Sequence, residues 1–372
     1  MLDALRDLWT HRTPRLTETP RGKDDRCRLL AMNNAAAVSG RAELPLSAVR
    51  ADPLQPFAVT PVQGRCLADM LRQGRRALDP DYAVYVPGAD KPTPGQDALG
   101  AFYDARSRLM QAVARGGAAD AAPVQPAWPP IDACRTRKQL LKTLLAASPG
   151  LVVAATPASR ASKRLLIEKM PLLFNLGVRT LYVQPLQHDL HQADLDLLHA
   201  TGTLPPALGS FLDELDGWQM TDRAANATYR EVVAAASRAG LRIVALDLMA
   251  SAHLKGVESG VGTPASPVET RARVGSHVAV KRIEHDQGQR AGAPGPSGWV
   301  ALVDTTHAGT FNGIAGIAAR LGIPSLRVED VHDANAPRLE AGIDPGLSVP
   351  APTLRAQGHL RCDYLLNVRS PT

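Results

Sequence analysis

Ser148-Pro-Gly-Leu-Val-Val-Ala-Ala-Thr-Pro157, then Arg160-Ala-Ser-Lys-Arg-Leu-Leu-Ile-Glu-Lys-Met170, then Gly177-Val-Arg-Thr-Leu-Tyr-Val-Gln184 decide how this chain is read. The apolar run Leu151-Val-Val-Ala154 is bounded by Gly150 and Pro157, the pattern of a buried strand. Residues 160–176 follow with helical spacing and stop at Gly177, which suits a left-handed C-terminal cap. Residues 178–184 are again strand-like. Strand, helix and strand in this order predict a crossover unit joining parallel strands.

The alternation continues outward. Helices are expected at 138–147, 190–199, 208–216, 225–239, 269–285 and 313–321, and strands at 241–247, 299–304 and 325–328. The strands are apolar throughout rather than alternating, as in sheets buried on both faces. The predicted fold is α/β, a mostly parallel central sheet flanked by helices, with a helical N-terminal region. Within that region Leu67, Met70 and Leu71, and then Leu99, Phe102, Leu109 and Val113, form apolar stripes on helices at 65–76 and 98–115. The expected division is a flexible leader at 1–40, the helical region at 41–134, the α/β domain at 135–335 and a C-terminal extension at 336–372. Pro87 to Gly95 is read as a turn-rich break, 116–130 as an Ala/Pro linker, and 256–266 and 288–297 as Gly/Pro-rich loops.

Composition bounds the function classes. The chain has 372 residues, 45% of them hydrophobic and 21% charged, as in an ordinary globular protein. No run of 18 apolar residues occurs, so no integral membrane segment is expected, and the N-terminus lacks the apolar core of a Sec signal. Cys27, Cys66, Cys134 and Cys362 show neither zinc-knuckle nor disulfide spacing and read as reduced thiols. The net charge of +6 permits steering toward acidic lipid or nucleic acid. With no basic run or aromatic ladder beside that charge, nucleic acid is not the expected partner.

Several segments together resemble the ChaN/TIKI-like superfamily, in the version found in bacterial dermonecrotic and mitogenic toxins and secreted effectors. They are Ser162-Lys-Arg-Leu-Leu-Ile167, Asp189-Leu-His-Gln-Ala-Asp-Leu-Asp196, Thr201-Gly-Thr-Leu-Pro205, Gly240 to Asp247, Asp286-Gln287 and Trp299 to Phe311. The resemblance covers roughly the second half of the chain. It implies a hydrolytic site in which Glu and His activate water or hold a metal. In that family the turn after the first strand reads Gly-Glu-x-His and the second strand ends in Glu. Here those places hold Ala154, Ala155, Pro157 and Gln184.

Ligands of an open parallel sheet sit beyond the carboxyl ends of its strands. The polar residues expected there are Asp247 and His307 as a remaining acid-base pair, with Gln184, His188, His191 and Lys163 as binding residues. Lys163 at a helix N-terminus suits an anion, and a solvated helix face accounts for it equally. His191 also reads as a hydrogen-bonded interhelical histidine, and Asp247 as a cap. Ser162 or Thr306 offers a hydroxyl, with no nucleophile-elbow motif around either. No cofactor and no metal are expected, because Ala155, Pro157 and Gln184 remove the ionisable groups the family supplies. These strand-end positions are expected to be solvent-lined.

The functional expectation is a bacterial virulence effector or toxin domain, made in the bacterial cytoplasm without a Sec signal and secreted into a host cell. It acts as a pseudoenzyme or binding protein, its partner a host protein or small-molecule ligand, with a secretion chaperone engaging the leader. Two alternatives stay open: an active hydrolase with a rearranged Asp/His site, and a basic adaptor for acidic membrane or nucleic-acid surfaces.

Overall fold

The computed structural model describes residues 51–73, 94–116, 128–131, 133–156, 159–219, 226–254, 266–290, 297–331, 339–341, 347–350 and 357–369. The leader at 1–40, Pro157 and most of each expected break, linker and loop lie outside them. The described chain opens with helices α1 (Pro61–Gln73) and α2 (Pro94–Arg115), then α3 (Arg137–Ala147) and strand β1 (Gly150–Ala155). Thr136 and Gln139 cap α3 reciprocally: Thr136 Oγ1 accepts from Gln139 N at 3.2 Å, and Gln139 Oε1 accepts from Thr136 N at 3.1 Å. Next come α4 (Ala161–Asn175), β2 (Val178–Gln187), α5 (His188–Thr201), α6 (Pro206–Trp218), α7 (Tyr229–Arg238) and β3 (Arg242–Asp247). Gly177 and Gly240, each just beyond a helix, have φ of 93° and 77°, the left-handed turn expected at such ends.

The chain continues through the short α8 (Met249–Ala252), the long α9 (Pro267–Arg290), β4 (Gly298–Asp304) and the single turn α10 (Thr305–Ala308). Beyond these lie β5 (Thr310–Phe311), β6 (Ile314–Ala315), α11 (Ile317–Leu321), β7 (Ser325–Val331), β8 (Leu339–Ala341), β9 (Leu347–Pro350), β10 (Gln357–Arg361) and β11 (Tyr364–Arg369). The sheet order is β3-β2-β4-β1-β7-β11-β8, parallel from β3 through β11 with β8 antiparallel at one edge. Register is continuous across the centre, Val152 facing Ala301 and Ala155 facing Asp304. A second sheet of order β6-β5-β10-β9 is antiparallel.

The α/β architecture is the expected one, and two differences have physical reasons. The helix expected from residue 313 begins at Ile317, because Asn312 and Gly313, at φ 48° and 78°, form a tight turn that pairs β5 with β6. The boundary drawn at residue 335 does not close the sheet: β11 lies parallel to β7, with Leu366 opposite Val328. The C-terminal segment therefore covers what would otherwise be an open parallel edge.

The sheet separates two apolar layers. Leu151, Val153 and Ala155 pack with α4 and α7 in the larger core, while Val152 and Ala154 face Ala279, Ala308 and Ile317 on the opposite side. This is the two-residue alternation of a strand buried on both faces.

Candidate functional site

The carboxyl ends of β1, β2, β3 and β4 lie along one edge, as the register of Ala155 with Asp304 and of Gln187 with Asp247 requires. The helix after β1, α4, packs on one face, and the helix after β4, α11, on the other. Adjacent strands whose connections diverge leave a crevice between them, the usual ligand position in such sheets.

On the α9 side of this edge the structure brings His307 and Gln184 together beneath Gly275. Both Asp247 and His307 feel the charges of Asp304 and Arg271. The Gly275 backbone lies against His307 and Gln184: a Cβ there would sit 2.5 Å from His307 Cε1 and 3.3 Å from Gln184 Nε2. Gln184 Oε1 accepts from Asp304 N at 3.0 Å. Asp247 Oδ1 receives the Ser251 hydroxyl at 3.4 Å. Asp247 is 3% exposed, Gln184 3% and His307 0%, so the strand-end positions are sealed. The expectation of a solvent-lined edge is corrected: α9 and the segment after β3 cover it. Ala155 is corrected in the same sense. Its side chain joins the larger core, on the opposite face from Gln184, and Ala154 takes the His307 side.

Burial sets the titration of the cluster. It raises the Asp247 carboxyl to about 7, with Arg271 and the Ser251 hydroxyl opposing and Asp189 and Asp304 adding. It raises Asp189 to about 6 against the hydrogen bonds from Met249 and Val59. It lowers His307 to about 4, Asp304 opposing and Arg271 reinforcing. His253, whose Nε2 lies 3.3 Å from Gln187 Nε2, is lowered to about 4 by burial and by Arg271 and Arg106. The His307 ring meets the Ala272 backbone and, at 3.4 Å from Nδ1, the Ser276 hydroxyl. Among the described residues His307 Nε2 is buried with no hydrogen-bond partner.

The remaining residues named from sequence lie apart from this group. His191 stacks on Phe211 with ring centroids 3.9 Å apart and accepts from Gln187 N at 3.0 Å through Nδ1. Burial lowers its pKa to about 3, which keeps it neutral at the start of α5. Lys163 is 0% exposed, donates from Nζ to Ser159 O at 2.6 Å and lies 4.8 Å over the Tyr229 ring. Burial lowers its amine to about 8 against the raising effect of Asp216 and Asp330. The N-terminus of α4, read as an anion site, is occupied internally: Asp330 Oδ2 accepts from Arg160 N at 2.7 Å and Ala161 N at 3.2 Å. His188, half-buried, is the first residue of α5.

Sequence reasoning missed Asp189 and Arg271. Asp189 stood in a resemblance segment without a role. Arg271 begins no motif, and only the placement of α9 over the edge gives it one. The site that the sequence resemblance implies also admits a metal, and the residues at these positions do not fit one. Gln184 supplies a neutral amide already engaged with Asp304 N, and among the described residues no group of three His, Cys, Asp or Glu is arranged around a common point.

No protein-family model and no curated protein matches the chain. Solved structures do. RRSP, a MARTX toxin effector domain from Vibrio vulnificus CMCP6, is similar at 19% identity over 86% of this chain and 66% of that one, with a TM-score of 0.48. The C-terminal region of Pasteurella multocida toxin aligns at 14% identity over 63% of this chain and 31% of that one, TM-score 0.45. ChaN of Campylobacter jejuni aligns at 11% over 61% and 90%, TM-score 0.31. The chain thus spans about two thirds of the RRSP structure's length. The similarity is to toxin effector domains and to ChaN, the group its sequence segments resemble. At these identities it is a likeness of fold and passes no activity or residue role to this chain.

Proposed function

We propose that this chain is a bacterial toxin or effector domain, secreted into a host cell, that works by binding a host protein or small molecule rather than by hydrolysis of the superfamily type. The observation that carries the reading is the fate of Gln184, which lies inside β2, before its end at Gln187. Where the family pattern has a carboxylate, Gln184 is a sealed amide whose oxygen holds Asp304 N at 3.0 Å. The β1 end offers Ala154 and Ala155, which cannot move a proton. His307 is left with no described carboxylate hydrogen-bonded to it, and an acid-base site without its base forfeits on the order of 10²–10⁴ in rate.

One observation favours the second reading, an active hydrolase built on Asp247 and His307. Burial leaves Asp247 titrating at about 7 and His307 neutral, and perturbed groups with an unpaired imidazole nitrogen are a mark of catalytic clusters. Expression of the full chain in eukaryotic cells separates the two. The binding reading expects a growth or morphology phenotype that survives Asp247→Asn combined with His307→Gln. Loss of the phenotype in a variant that melts like wild type would establish the hydrolase instead, and a wild-type chain with no effect in any host cell would remove the effector assignment.

A further inference from the structure

The sealed edge raises the question of what covers it. Part of the answer is α9, whose Gly275 lies on His307. The rest is the helical N-terminal region. Leu54, Ala105 and Leu109 pack against Leu248, Ala250, Val274 and Val278, and Val59, Leu67, Ala98 and Phe102 pack against Met249. Leu248, Met249 and Ala250 follow directly on Asp247, while Val274 and Val278 flank Gly275 and Ser276 on α9. The helices therefore sit on the two segments that wall the cluster.

Two features mark this cover as separable from the sheet. Its apolar contacts form two small clusters of their own, whereas every residue of the two clusters that sandwich the sheet comes from Ile131 onward. An element joined through satellite clusters opens at lower free energy than the central core. Its polar attachments include two that reach the wall of the edge directly. Asp189 Oδ2 accepts from Val59 N at 3.2 Å and Asp189 Oδ1 from Met249 N at 3.1 Å, so one carboxylate holds the cover and the wall together. Arg106, lying 5.2 Å from the Phe102 ring centroid, donates to His253 O at 3.3 Å.

We propose that the helical segments of residues 53–73 and 94–116 are a displaceable cap over the carboxyl edge that carries Asp247 and His307, and that the Asp189 carboxylate is its latch. The cap regulates access to the edge, so its biological consequence rests on that edge being the working site; the opening itself is a property of the fold and is read without any activity. Hydrogen bonds from backbone N–H to a carboxylate are stronger than neutral ones. Replacing Asp189 by its neutral isostere therefore weakens both attachments while keeping the size of the side chain.

The test is amide hydrogen exchange on the full chain at pH 7.5, wild type against Asp189→Asn, paired with site-resolved diethyl pyrocarbonate labelling of histidines. In the variant the amides of Val59, α1 and α2 are expected to exchange about tenfold faster or more, as loss of a charge-assisted hydrogen bond implies, with β1 and β4 unchanged. His307, protected in the wild type, is expected to become labelled. Faster exchange spread evenly over the sheet, or unchanged exchange in α1 and α2, overturns the latch. A loosened α1 and α2 with His307 still protected overturns the cap. Should Asp189→Asn fail to fold, Leu109→Ala thins the α2 contact from the other side and the same two readouts decide.

Discussion

Two aspartates, Asp286 on α9 and Asp247 at the end of β3, show what each part of the molecule is for. Asp286 sits in a matched network: Oδ2 accepts from the Tyr182 hydroxyl at 2.7 Å, Oδ1 from Arg242 at 2.5 Å, and Arg290 lies 3.4 Å away. Burial alone would raise its pKa, but Arg242 and Arg290 override that and hold it at about 2. Asp247 has a 3.4 Å hydroxyl contact and the charge of Arg271 opposing burial, and burial still raises it to about 7. The same residue type is a satisfied, partly exposed structural ion in one place and a sealed, unmatched group in the other. A buried charge with its partners in hand specifies packing. One without them is a cost retained for another reason, and the sheet's carboxyl edge is where such groups gather.

The largest effect should come from breaking the matched side. Asp286→Ala leaves Arg242 without its nearest carboxylate and the Tyr182 hydroxyl without its acceptor, and should lower stability by about 3 kcal/mol in urea unfolding. The sign with pH is fixed: a carboxyl depressed in the folded state stabilises above the unfolded value near 4, and that contribution is lost as pH falls through about 2. A loss below about 1 kcal/mol at neutral pH would mean the network is not matched after all, and the contrast with Asp247 would collapse. Next in size is Ala155→Glu, the carboxylate the family pattern suggests. Since Ala155 lies in the larger core at 2% exposure, an added carboxylate there has no partner and should destabilise by about 2–3 kcal/mol.

That second variant also marks how far the sequence could be read. Apolar runs that follow Gly150, Gly177 and Gly240, and the run ending at Asp304, were enough to place β1 to β4 and their helices, because strands buried on both faces carry a strong local signal. Which face Ala155 takes was not legible, since moving one position along a strand reverses the side chain. The Asn312-Gly313 turn carried a local hairpin signal that the helical spacing of the following residues outweighed. β8 and β11 come from a segment with little local pattern, and their place depends on pairing across the sheet. At the site, Asp247, His307 and Gln184 were found from their strand ends. Asp189 and Arg271 were not, because their roles arise from how α2, α8 and α9 pack, and a contact between residues 59 and 189 leaves no trace in spacing.

Gly275 sharpens the comparison from the covering side. In a helix interior Gly→Ala ordinarily stabilises by about 1 kcal/mol. Here the added Cβ would meet His307 Cε1 at 2.5 Å and Nδ1 at 2.9 Å, and overpacking of this kind costs about 1–3 kcal/mol. The clash outweighs the propensity, so Gly275→Ala should lose about 1 kcal/mol net and shift the His307 imidazole resonances in NMR spectra. A stabilised variant with unchanged His307 signals would show that α9 does not press on the cluster.

The smallest change is the most specific to the unmatched side. Asp247→Asn keeps the shape of the side chain and removes its titration. A carboxyl raised in the folded state contributes stability that is complete below the unfolded value near 4 and is lost as pH rises through about 7. The wild type therefore carries an ionised, poorly matched Asp247 at pH 8 and a neutral one at pH 5. The variant should be more stable than wild type by about 1 kcal/mol at pH 8, with the advantage vanishing or reversing at pH 5. His253 and His307 act in the opposite direction, since their lowered values make stability fall as pH drops toward about 4. Both proteins retain them, so their contribution largely drops out of the difference between wild type and variant. Urea unfolding of the pair at several pH values from 5 to 8 measures that difference directly. A flat difference would mean that Asp247 is ionised and compensated throughout, which would make it a structural ion like Asp286 and remove the reason for treating the carboxyl edge as a site.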